Sequence, residues 1–151
     1  MNDAPDLKLK ELAQAIGALP ASLYVLTCEG EYAIVSWVQQ AGFVPPMISL
    51  ALKHGRGVGE KIMAGSPFHL SILPENGMKL AKPFFSSDAP GISAALDLEV
   101  LKDAHGYLQC KYVRHTESGD HSIVIAEVLT GKLLGKSEKP HIHLRKDGLK
   151  Y

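Results

Sequence analysis

The stretch Tyr32–Leu52, YAIVSWVQQAGFVPPMISLAL, constrains the fold more than any other part of the chain. Two β-rich apolar runs flank a break that holds Gln39, Gln40, Gly42 and the pair Pro45-Pro46. Proline offers no N–H to a strand ladder and pushes the residue before it toward extended geometry. The pair is therefore expected to end one strand and launch the next. Ser36-Trp37-Val38-Gln39-Gln40 sets small, aromatic, apolar and amide groups side by side. Such a strand end can offer backbone N–H groups and an apolar wall to a flat ligand with a polar edge.

Strand signals recur along the chain. Leu9, Leu12, Ala13 and Ile16 share one helical face, and Gly17 and Pro20 end that helix. Ser22–Thr27 and Tyr32–Val38 predict a hairpin about Glu29-Gly30. Met47–Leu52 predicts a buried strand, Val58–Ala64 a short helix, and Phe68–Leu73 a half-buried strand. Met78–Ala81 predicts one helical turn that Pro83 stops, and Gly91–Leu98 reads as loop. Val100-Leu101 predicts a short extended piece. Tyr107–His115 and Ser122–Leu129 predict a long antiparallel hairpin turning at Glu117-Ser118-Gly119-Asp120, with further strand pieces at Leu133-Leu134 and Pro140–Leu144. Hairpins imply antiparallel pairing, and closing a sheet removes its exposed edges. The pattern predicts a mainly β fold, a small barrel with peripheral helices, in one domain over residues 1–151.

Charge narrows the function classes. Lys plus Arg and Asp plus Glu number 16 each, so the chain lacks the general basic field of a nucleic-acid binder or of a protein held on anionic lipid. No apolar run approaches the roughly 20 residues of a membrane span. The N-terminus MNDAPDLKLKE lacks the apolar core of a signal peptide, so a cytoplasmic setting is expected. Cys28 and Cys110 lie far apart in strand-like surroundings and predict buried thiols rather than a disulfide or metal site.

Three segments carry a resemblance. Ser36–Pro46 resembles the S-W-V-x-Q-x-x-F-x-P-P segment of flavin reductase-like proteins with the FMN-binding split barrel. Gly119-Asp120-His121 is similar to that family's G-D-H hairpin, and His143–Tyr151 to its H-x-R-x-x-G-x-x-Y ending. The ending is most similar to the reductase-like module at the C-terminus of some flavodiiron proteins. The resemblance covers residues 12 to 151. It implies a split β-barrel with Greek-key-like antiparallel strands, FMN as cofactor (FAD as the alternative), NAD(P)H as reductant, and a homodimer. The activity implied is hydride transfer from NAD(P)H to flavin. The alternative is a non-enzymatic module of the same barrel that binds flavin or another planar cofactor and passes electrons to a partner. A third reading is a structural dimerisation domain.

The candidate site residues follow from the residues and the resemblance together. Lys53-His54-Gly55-Arg56-Gly57-Val58-Gly59 follows a strand and precedes a helix. Its glycines expose backbone N–H groups and its two cations add charge, so it can hold an anion such as the FMN phosphate, or form an exposed turn. It reads G-x-G-x-G rather than G-x-G-x-x-G, without repeated βαβ units, so a dinucleotide fingerprint is not met. The family usually places hydroxyl residues in this loop and Asn where this chain has Ser71. Residues and resemblance together assign Ser36, Trp37, Val38, Gln39 and Gln40 to the flavin edge, with a core or dimer-interface aromatic as the plain alternative for Trp37 and a solvent-facing strand end for the two glutamines; Lys53, His54, Gly55, Arg56 and Gly57 to phosphate; and Ser71 to the flavin pocket. The resemblance places His121 near the nicotinamide face; a lone histidine at a turn is the plain alternative. His141 and His143 fall on one strand face, but no ligand partner at short spacing supports a metal. No Ser/His/Asp arrangement supports hydrolysis.

Overall fold

The computed structural model describes residues 3–85, 96–97, 100–135 and 139–150. Helix α1 (Asp3–Gly17) leads into β1 (Tyr24–Cys28), β2 (Glu31–Val35), β3 (Val38–Gly42) and β4 (Met47–Lys53). Helix α2 (Gly57–Met63), β5 (Phe68–Ile72) and α3 (Met78–Ala81) follow, then a 3-10 turn over Lys82–Phe85. β6 (Leu96–Asp97) pairs with β7 (Val100–Leu101), and β8 (Gly106–Ser118) and β9 (His121–Leu133) complete the strands. The Gly91–Leu98 loop expected from sequence lies outside the described residues except at β6. No helix among the described residues is long and apolar enough to cross a membrane.

Seven strands form one antiparallel sheet in the order β2-β1-β5-β8-β9-β4-β3. Its two edges, β2 and β3, are consecutive in sequence and joined only by Ser36 and Trp37. Successive Cα atoms are 3.8 Å apart, so this linker spans at most about 11 Å. The sheet must therefore curl until its edges meet at Ser36-Trp37, and β2 touches β4. The result is the expected mainly β barrel with helices at its periphery.

This closure corrects one boundary. The sequence predicts a single strand over Tyr32–Val38 that breaks near the prolines. The break instead falls at Ser36-Trp37, and Val38–Gly42 pairs with β4 on the other edge. Gln39 and Gln40 consequently lie within a strand, and Phe43–Pro46 makes the β3–β4 turn. Periodicity reports which residues are extended, but not which strand each half will pair with.

Local chemistry explains the turns. Glu29 (φ 48°) and Gly30 (φ 79°) both take positive φ, as a two-residue hairpin turn of primed type requires. The β8–β9 turn is shorter than expected. It needs only Gly119 (φ 61°) and Asp120, because Ser118 and His121 still pair. Pro83 does not end helical structure. It sits early in the 3-10 turn, where its missing N–H costs no bond.

Leu26, Leu50, Leu52, Phe68, Leu70 and Val124 fill the barrel core. Val25, one residue along β1, points to the other face and joins Leu23, Leu73, Phe84 and Leu101 in a second cluster. β1 is thus buried on both faces. The apolar face of α1 is less buried than its spacing predicts: Ala13 is buried, but Leu9 and Leu12 are about half exposed (54% and 52%). What anchors α1 is the C-terminal segment. Gly148 N–H donates to Ala13 O (2.6 Å) and Arg145 N–H to Gly17 O (3.1 Å). A Cβ on Gly17 would collide with the Arg145 carbonyl, and one on Gly148 with Ile16, so glycine is what permits this approach.

Candidate active site

Trp37 occupies the seam where the barrel closes. Its carbonyl accepts from Ala51 N–H (3.0 Å), which fixes the backbone of the seam against β4. On the far side of β4, Lys53 pairs with His121 at the start of β9. Trp37 and His121 thus converge over the end of β4, with ring centroids 4.8 Å apart and planes tilted by 42°. The Arg145 guanidinium carbon lies 5.0 Å from the Trp37 centroid, within cation–π reach. The lone tryptophan, 37% exposed, gathers an imidazole from the start of β9 and a guanidinium from the C-terminal segment.

His121 is buried, and its Nδ1–H donates to Asp120 Oδ1 (2.7 Å). That bond orients the ring. It also holds the Asp120 carboxyl below its ordinary value, with the charges of His121 and Lys53 adding to the effect. The loop after β4 is tied to the same hairpin. His54 N–H donates to Asp120 O (3.0 Å), and His54 Nε2 meets Glu117 Oε2 at 2.6 Å. Ser122 Oγ–H donates to Glu117 as well (3.0 Å). These two hydrogen bonds, Ser122 first, lower the Glu117 pKa.

Ser36, Trp37, Ala51, Lys53 and Arg56 line a narrow slot at the seam. Ser36 and Arg56 also line a larger cavity of about 520 Å³, walled by Leu23, Ile34, Phe84, Phe85 and residues of the segment 143–150. Gly55 (φ 81°) makes the tight turn that carries Arg56 there. Gly57 serves another purpose: the Glu31 carboxylate lies against it, where a Cβ would collide. The start of α2 therefore already faces an anion of the chain's own. Lys53 and Arg56 carry the loop's positive charge to the slot at the seam.

Other sequence candidates lie elsewhere. Val38 and Gln40 line a separate, mostly apolar cavity of about 360 Å³ with Tyr24, Met47, Leu70 and Leu108. Gln39 is exposed on β3. The His54 ring faces Glu117 at the hairpin end. Ser71 is fully buried, and its hydroxyl accepts from Leu101 N–H (2.9 Å), bracing β5 against β7. No group of three metal-ligating side chains occurs among the described residues; His141 and His143 lie 6.2 Å apart, ring to ring.

Sequence reasoning did not nominate Arg145, Lys146, Lys150, Phe84 or Phe85. The C-terminal cluster H-L-R-K-D-G-L-K was a visible basic signal, but only the fold carries it back across α1 to the seam. Burial, then His141 and Arg145, lower the pKa of His143, which borders the cavity.

The cavity suits a flavin by volume and by lining, since small-molecule sites of roughly 300–1,000 Å³ combine apolar walls with few polar groups. Here Leu23, Ile34, Phe84 and Phe85 supply the walls, and Ser36 and Arg56 the polar contacts.

Diflavin flavoprotein A 6 of Nostoc sp. is 36% identical over 152 residues, which cover 91% of this chain and 27% of that protein. Diflavin flavoprotein A 1 of Synechocystis sp. is 32% identical over 155 residues, covering 93% of this chain and 27% of that protein. The chain thus spans about a quarter of the length of these relatives. Among solved structures, the NADH:FAD oxidoreductase of Streptomyces globisporus C-1027 in complex with NAD and FAD fragments has the same fold. Its TM-score is 0.78 at 19% identity, over 95% of this chain and 91% of that one. Residues 16–148 match the flavin reductase like domain, and the chain belongs to that family.

Proposed function

We propose that this domain binds flavin, FMN with FAD as the alternative, at the seam of the barrel and catalyses its reduction by NAD(P)H. The observation that carries the reading is the convergence of Trp37, His121 and Arg145 beside Ser36, Lys53 and Arg56, at the mouth of the 520 Å³ cavity. When bound, flavin supplies the hydride acceptor and the nicotinamide the donor. The chain's own residues bind and orient. The seam backbone at Ser36-Trp37 faces the ring edge, Lys53 and Arg56 hold phosphate, and the apolar walls exclude water. His121, set by Asp120, positions the nicotinamide; close approach is what such a transfer needs. No side chain has to act as a strong acid or base.

A homodimer is part of this reading. Phe43 (85% exposed) and Val44 (95%) stand at the β3–β4 turn, and the second cavity beside them is mostly apolar. Two free, buried cysteines fit a reducing cytoplasmic setting.

The test is an absorption spectrum of the purified protein before and after FMN addition, followed by steady-state NAD(P)H oxidation with added FMN. Perturbed flavin bands with turnover are expected. Absence of both binding and turnover would refute the reading. One observation favours a second reading: the chain matches only 27% of proteins named diflavin flavoproteins. As such a module it would carry flavin and pass electrons to another part of a larger protein. Flavin binding without NAD(P)H oxidation would select it.

A further inference from the structure

We propose that Glu117 is a positioning residue: its carboxylate clamps the loop 53–56 to the β8–β9 hairpin and so holds Arg56 where a flavin phosphate would meet it. The inference rests on reading Arg56 as a phosphate ligand, and it adds a residue that lines none of the cavities described above. Its basis is a convergence behind the seam. Lys53 and His121 pair across β4 and β9. The residue after each of them, His54 and Ser122, bonds one and the same carboxylate. His54 Nε2 lies 2.6 Å from Glu117 Oε2, and Ser122 Oγ–H donates to Glu117 Oε1 at 3.0 Å.

Strand register makes this convergence. Glu117 stands opposite Ser122 in the β8–β9 ladder, and Ser122 opposite Leu52 in the β4–β9 ladder. Side chains alternate along a strand, so this row lies on the face opposite to the one that carries Lys53 and His121. Ser122 is buried and fixes the carboxylate from the inner side, while the half-exposed His54 ring reaches it from outside. A carboxylate only accepts, so each partner supplies a hydrogen. His115 completes the set: its Nε2 faces Glu117 Oε1 at 3.5 Å, and its Nδ1 meets Tyr112 Oη at 2.7 Å. The bonds from Ser122 and then His54 hold the Glu117 carboxyl below its ordinary value. The clamp is therefore ionised across neutral pH and is lost only as the pH falls through that lowered value.

The loop has little else to fix it. His54 N–H donates to Asp120 O (3.0 Å) and so extends the ladder by one bond beyond β4. Gly55 then turns at φ 81°, with nothing within 4 Å of where a Cβ would stand. Arg56 is exposed and caps α2 without a side-chain hydrogen bond. The His54 side chain is what ties the start of this turn to the hairpin. An exposed ion pair of this kind contributes little to stability. Its effect is on position: Arg56 stands two residues beyond the tie, and a hydrogen bond weakens steeply once its geometry shifts.

FMN and riboflavin are titrated by fluorescence into the full chain, Glu117→Gln, His54→Ala and the double variant. Glu117→Gln keeps the shape of the side chain but removes its charge and one acceptor oxygen. FMN affinity should fall about 3- to 10-fold in each single variant and no further in the double, because both cut the same bond. Riboflavin, which has no phosphate, should stay within about twofold. In an Arg56→Ala background Glu117→Gln should cost FMN nothing more, since the residue it positions is gone. The melting temperature should move by less than about 3 °C, as the loss of an exposed pair allows. Amide hydrogen exchange at residues 54–57, followed without added flavin, should quicken about 3- to 10-fold in Glu117→Gln.

Equal losses of FMN and riboflavin, or a loss that adds in full to that of Arg56→Ala, would make Glu117 a mere support of the hairpin and overturn the proposal. Unchanged FMN affinity in Glu117→Gln also overturns it, and leaves the flavin reading standing. If the unaltered chain does not bind FMN, the flavin reading fails and exchange at residues 54–57 decides the clamp by itself. Faster exchange in the variant then supports the clamp, and equal exchange overturns it.

Discussion

Ser71→Ala separates a pocket residue from a structural one. The Ser71 side chain is fully buried, and its hydroxyl accepts from Leu101 N–H at 2.9 Å. Removing the oxygen leaves that buried N–H without this acceptor, at a cost of about 1–3 kcal/mol. The vacated volume is one atom, so little cavity penalty is added. For a domain of this length, each kcal/mol lowers the melting temperature by roughly 2–4 °C, which predicts a fall of roughly 2–12 °C. None of the seam or cavity residues is touched, so FMN affinity should change less than about twofold. Calorimetric melting beside fluorescence titration of FMN measures both. An unchanged melting temperature with a clear loss of FMN affinity would refute the reasoning and return Ser71 to the flavin pocket.

Arg56→Ala should weaken FMN roughly 10- to 100-fold but riboflavin little, since only FMN brings a phosphate; equal losses in parallel titrations would mean that Arg56 shapes the loop instead. His121→Ala should slow flavin bleaching by NAD(P)H in rapid mixing, by roughly 100-fold if the nicotinamide shifts by about 1 Å, while FMN titration stays nearly unchanged. Unaltered bleaching would leave His121 a plain turn histidine. Burial pushes the Cys110 thiol up to about 12, so native protein at pH 8 should resist alkylation there until it is denatured; mass-spectrometric labelling that is rapid in the folded state would contradict this.

The strand inventory was legible because alternation and turn chemistry are local. Glu29-Gly30 and Gly119-Asp120 mark their turns in the sequence itself, and the apolar faces of β4 and β5 follow from period two. The resemblance placed the barrel and the flavin reductase family correctly. Pairing was not legible. Nothing in Tyr32–Val38 says that its two ends belong to opposite edges of one sheet; that is decided when the barrel closes across Ser36-Trp37. The same closure brings Trp37 to His121, although 84 positions separate them in the numbering. It leaves Val38 and Gln40 at a different cavity and Ser71 in the core. The basic ending reaches the seam because Gly17 and Gly148 let it pack on α1, which sets Arg145 over Trp37. Residue types and local periods determine which groups are available and which segments extend. Which of those groups share a site depends on long-range pairing and close backbone approach, and these exist only in the folded chain.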